Sequence, residues 1–140
     1  MVPPANVNLV AVLVAAVASM VIGFLWYSPF LFGNMWMELS GMSKAKLGKA
    51  KSKWMTLNYF AMFVSSLVMS YVLAHFIKYT QSTTIMDGAV AGFWLWLGFI
   101  ATVSLGMVLW EGKPFKLYVL KNAHQLISLI VMGAILATWV

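Results

Sequence analysis

Four runs of about 20 mostly apolar residues, set apart by short polar stretches, constrain this chain more than any other feature. An α-helix rises about 1.5 Å per residue, so about 20 residues cover a hydrocarbon core about 30 Å thick. The runs extend from about Val7 to Tyr27, Trp54 to Ile77, Gly88 to Trp110 and Leu117 to Trp139. Together they predict an all-α integral membrane four-helix bundle, a single transmembrane domain over residues 1–140 with no room for a soluble one. Composition supports this: 63% of the residues are hydrophobic and 9% charged, against about 45–50% and about 25% in soluble domains. A compact water-soluble fold would leave much of that apolar excess exposed, which excludes a soluble enzyme or a disordered tail. The chain has no cysteine, which excludes a disulfide-stapled scaffold, thiolate metal sites and thiol redox chemistry.

The first run reads as a permanent span and not as a secretory signal. Met1 to Asn8 carries no charged side chain, and the run ends in Trp26-Tyr27-Ser28-Pro29 where a signal would offer small residues for cleavage. Lysines then orient the bundle. Lys44, Lys46, Lys49, Lys51 and Lys53 lie in the loop 28–53, Lys113 and Lys116 join the third and fourth runs, and Lys121 follows just inside the fourth. Lys78 stands alone on the other side. The lysine-rich side is expected to be cytoplasmic, with both termini outside. Lys44, Lys46, Lys49, Lys51 and Lys53 are also candidate contacts for anionic lipid headgroups. The competing reading is a topology signal with no further role. Nucleic acid is not an expected partner, because no stacking aromatics are interleaved with these lysines.

At the cytoplasmic end of the first span, Trp26 and Tyr27 suit the headgroup level, and Pro29 biases Ser28 away from helix. Beyond them Phe30, Leu31, Phe32, Trp36, Met37 and Leu39 continue an apolar pattern too short to span, with Gly33 and Gly41 as breakers. An interfacial or re-entrant segment is expected there; a plain anchored helix end is the alternative. The stretch Gly23-Phe-Leu-Trp-Tyr-Ser-Pro-Phe-Leu-Phe-Gly33, followed by Trp36-Met37 and Gly41-Met-Ser43, closely resembles the signature of the DUF1761 family of small prokaryotic membrane proteins. Trp110-Glu-Gly-Lys-Pro-Phe-Lys-Leu117 and Asn122-Ala123 leading to Val131-Met-Gly-Ala-Ile-Leu136 match it further along. The resemblance implies four spans in a prokaryotic plasma membrane. It implies no chemistry, since the family's function is unknown, and the basic loop 43–53 departs from the more acidic loop associated with it.

Polar residues inside spans are where function is sought first. Lys121, His124, Gln125 and Ser128 recur at spacings of three and four, on one helical face. With Glu111 they form a candidate transport or sensing site, in which His124 relays protons and Lys121 holds an anion or pairs with Glu111. The structural alternative is that Lys121 snorkels and His124 with Gln125 bonds neighbouring helices. Two His and three scattered acids offer no metal-binding or paired-carboxylate spacing, the glycines match no phosphate loop, and Ser28 lies in no nucleophile elbow. No catalytic residue, metal or cofactor is therefore expected.

Small residues recur along the spans: Ala11, Ala15, Ser19 and Gly23; Ser66, Ser70 and Ala74; Gly88 and Gly92; Gly98, Thr102 and Gly106; Gly133 and Ala137. Such rows let helices approach closely. Gly23-x-x-Trp26-x-x-Pro29 and Gly106-x-x-x-Trp110-x-x-x-Pro114 hint at two related hairpins, and shared interface chemistry accounts for them equally well. Two function classes follow. One is a homo-oligomeric channel, carrier or membrane sensor; the other is an accessory subunit packed against a larger membrane complex.

Overall fold

The computed structural model describes residues 6–40 and 52–139. Lys44, Lys46, Lys49, Lys51, the side chain of Lys53, and Gly41 with Met42 and Ser43 lie outside the described residues. Five helices follow in order: α1 (Leu9–Trp26), α2 (Gly33–Ser40), α3 (Ser52–Tyr79), α4 (Ile85–Leu109) and α5 (Phe115–Thr138). All but α2 contain a stretch long and apolar enough to cross a membrane, so the chain is a four-helix membrane bundle.

Local chemistry sets the helix ends. Asn8 caps α1, its side-chain oxygen accepting from the Val10 and Ala11 amides at 2.9 and 3.3 Å. Thr84 caps α4 by accepting from the Asp87 amide at 3.1 Å, which starts that helix earlier than the apolar run suggests. Pro114 precedes α5, where its missing N–H is not needed.

α5 is the hub of the bundle, with 44% of its spanning residues buried against 11% for α4. It packs against α4 and α1; α3 packs mainly on α1, and α3 and α4 touch each other little. The core lies toward the end where α1 begins and α5 finishes, joining Ala11, Ala15, Leu73, Ile77, Met132 and Leu136. Small residues make this possible. A Cβ on Gly88 would run into the Gly133 carbonyl, and one on Gly92 into the Leu129 carbonyl, so the backbones of α4 and α5 meet directly. Ser70 donates to the Val12 carbonyl at 2.8 Å, which satisfies a fully buried hydroxyl between α3 and α1.

The second half of α4 departs from regular helix. After Leu95 it widens into a π stretch, Trp96–Ala101, returns to α geometry over Thr102–Ser104, breaks at Leu105 and finishes with Gly106–Leu109. Irregular backbone inside a membrane must find its hydrogen-bond partners within the protein. Thr102 donates to the Gly98 carbonyl at 2.7 Å, Ser104 lies 2.5 Å from that of Ile100, and the Tyr118 hydroxyl crosses from α5 to the Ala101 carbonyl at 2.7 Å.

α1 stops at Trp26, as Pro29 requires. The Ser28 hydroxyl donates to the Leu25 carbonyl at 2.7 Å, and the Gly33 amide donates to the Ser28 carbonyl at 2.9 Å. Gly33, expected as a breaker, instead opens α2, because the Tyr27 carbonyl occupies the space a Cβ would need. With 8 residues, α2 cannot span; it folds back to touch α5.

Candidate functional site

The first turns of α5 are gripped on two flanks by indoles. Trp26, at the end of α1, donates from Nε1 to the Leu120 carbonyl at 3.1 Å, and Trp96, in the π stretch of α4, donates to the Asn122 carbonyl at 2.9 Å. Both carbonyls belong to a helix whose own amides already use them, so the indoles take second lone pairs and keep Trp N–H groups satisfied away from water. The likeness between Gly23-x-x-Trp26-x-x-Pro29 and Gly106-x-x-x-Trp110-x-x-x-Pro114 does not extend to packing. Trp110 is 87% exposed, and the α4 indole that reaches α5 is Trp96.

Between these grips Asn122 is 4% exposed. Its Nδ2 donates to the Tyr118 carbonyl at 2.8 Å and its Oδ1 accepts from the Ser104 hydroxyl at 2.7 Å. That hydroxyl has one proton to share between Asn122 and the Ile100 carbonyl. Asn122, Ser104, Tyr118 and Trp96 thus tie the irregular part of α4 to α5. None of them stands out in sequence as a candidate site residue; the available signal was a lone amide, Asn122, one step round the helix from Lys121.

Beside this network lies a cleft of about 340 Å³, lined by Met69 from α3, Ile100, Ser104 and Met107 from α4, and Lys121, Asn122 and Gln125 from α5. Lys121 and Gln125 are half-buried on one face. Among the described residues, neither side chain makes a hydrogen bond or ion pair. Glu111 is exposed in the α4–α5 loop and forms no ion pair with Lys121.

His124 and Ser128 turn to the other flank, toward α1. His124 Nε2 lies 3.4 Å from the Ser128 hydroxyl, and a Cβ on Gly23 would come within 3.3 Å of the same nitrogen. The imidazole sits edge-on to Tyr27, centroids 5.2 Å apart, and tilted against Trp26 at 6.2 Å. Trp36 of α2 in turn meets Tyr27 edge-on at 5.8 Å, while Pro29 is exposed at the turn. The residues that sequence spacing puts on one face therefore divide: Lys121 and Gln125 line the cleft, and His124 with Ser128 joins the aromatic motif of Trp26, Tyr27 and Trp36.

A family model described as "Protein of unknown function (DUF1761)" matches residues 10–137. No curated protein and no solved structure matches the chain.

Proposed function

We propose, from the premise that the chain belongs to the DUF1761 family, that this multi-pass membrane protein binds an anionic ligand in the cleft beside Lys121. In this reading it works as a homo-oligomeric channel, carrier or membrane sensor of a prokaryotic plasma membrane, with both termini outside. The observation that supports it most is the pair Lys121 and Gln125, polar groups on a spanning helix that line a cleft and have no partner among the described residues. An ammonium or amide left unpaired in a hydrocarbon setting is costly, so such residues mark ligand sites more often than they mark packing. A cleft with its ligand groups on one chain favours a carrier or sensor over a pore, whose path would run between copies. No catalytic step is assigned to it.

The test is a binding titration read by tryptophan emission, since Trp96 adjoins the cleft through Asn122. The purified chain is titrated with small carboxylates, sulfate, inorganic phosphate and anionic phospholipid in detergent. At least one of these is expected to change the emission of the native chain and to lose about tenfold in affinity with Lys121→Ala. If no member of the panel distinguishes the two proteins, the reading fails. Flux in proteoliposomes then separates a carrier from a sensor. Purification in mild detergent with a stoichiometric heterologous partner would favour an accessory subunit.

A further inference from the structure

Building on the anion-binding reading of the cleft, we propose that its occupant is a single anionic phospholipid, the phosphate held by Lys121 and Gln125 and one acyl chain lying along Met69 and Ile100. Lys121 comes six residues after Phe115, which sets its Cα about 9 Å inside the start of α5. It therefore sits near the bundle end that carries Lys113 and Lys116, at a depth a lysine stem spans on its way to the headgroup level.

The walls support a lipid over a free ion. α3 and α4 touch each other little, so the cleft opens sideways between them with α5 as its floor. Lys121 and Gln125 form its polar part, while Met69 and Ile100 carry it on as apolar surface. A free phosphate would match the ammonium and the amide and leave the apolar stretch to be filled by something else. A phospholipid matches both, and its phosphate oxygens accept from the ammonium and from the amide N–H, the two donors that have no acceptor among the described residues. Charge is complementary as well: nine Lys stand against three acids in the whole chain.

The experiment uses the full chain in detergent, equilibrated with equal amounts of phosphatidylglycerol and phosphatidylcholine, with bound lipid counted by native mass spectrometry. Phosphatidylglycerol is expected to be retained about tenfold over phosphatidylcholine, and Lys121→Gln to remove most of that preference. Lys113→Gln and Lys116→Gln, both exposed in the structure, are expected to retain it. Met69→Trp, which fills the apolar part and leaves Lys121 in place, is expected to displace the lipid. Equal retention of the two lipids, or full preference in Lys121→Gln, overturns the proposal. Competition by millimolar inorganic phosphate on the native chain overturns it too, while leaving an anion site at Lys121 standing. Binding of neither phosphate nor lipid removes both readings. The competition and the lipid comparison need no variant, so a variant that fails to fold does not blunt the test.

Discussion

Asn122 answers two demands at once. A buried amide must have both its donors and its acceptor considered, and this one donates to the Tyr118 carbonyl and accepts from Ser104. Replacing it by Leu keeps the volume close but strands the Ser104 hydroxyl's partner and removes the only side-chain bond between α5 and the second half of α4 that Ser104 makes across helices. Asn122→Leu is expected to lower stability by about 1–2 kcal/mol, and Ser104→Ala by less, near the ~0.6 kcal/mol average for interhelical bonds in membranes. Thermal unfolding of the detergent-purified variants measures both. At this scale the sequence shows which residue types occupy a helix face but not what they meet there. Lys121, His124, Gln125 and Ser128 do share a face by spacing, yet the boundary between two neighbouring helices runs through that face. Lys121 and Gln125 fall on the cleft side, and His124 falls against Gly23 and Tyr27. Asn122 differs from them only in the direction it points, which no pattern of residue types records.

Helix α4 has two unlike halves. Its first half is held by backbone contact, Gly88 on Gly133 and Gly92 on Leu129, and Gly92→Val is expected to cost at least about 2 kcal/mol, because the obstacle is a carbonyl and not a side chain that can turn away. The same thermal unfolding assay reads it. Its second half is shaped by the π stretch Trp96–Ala101. Deleting Gly98 would restore regular winding there and turn everything that follows by about 100°. Ser104 would then leave Asn122 and the Ala101 carbonyl would leave Tyr118, so the straighter helix is expected to be the less stable one. Gly98→Ala is the control: a Cβ there meets nothing within 4 Å, so the change should stay within about 1 kcal/mol. The glycine pair of the first half is visible in sequence because close helix approach needs small residues at a fixed interval. The π stretch is not, because Trp-Leu-Gly-Phe-Ile-Ala has no feature that separates a wide turn from an ordinary one. What holds the wide turn open is a tyrosine hydroxyl on another helix.

For the whole molecule, four spans and their order could be read directly, since hydrocarbon thickness imposes its length on the sequence. Which helix becomes the hub could not. All four spans are apolar all round, and only the placement of Gly133, Asn122 and Leu129 against their neighbours makes α5 central. Orientation can be tested with single cysteines in a chain that has none of its own. A membrane-impermeant maleimide is expected to label Asn6→Cys on intact cells and Ser43→Cys only after permeabilisation; labelling of Ser43→Cys on intact cells reverses the orientation derived from the lysines. One consequence follows from the way α4 is mounted. Gly88 and Gly92 pin it to α5 at one end, whereas the far end borders the cleft at Ser104 and Met107. That makes the helix a lever with its pivot at the glycines: over the roughly 24 Å of a straight helix from Gly92 to Val108, a swing of about 10° moves the far end by about 4 Å. The cleft can therefore be widened or shut by a rotation that leaves the tightest contact in the bundle untouched.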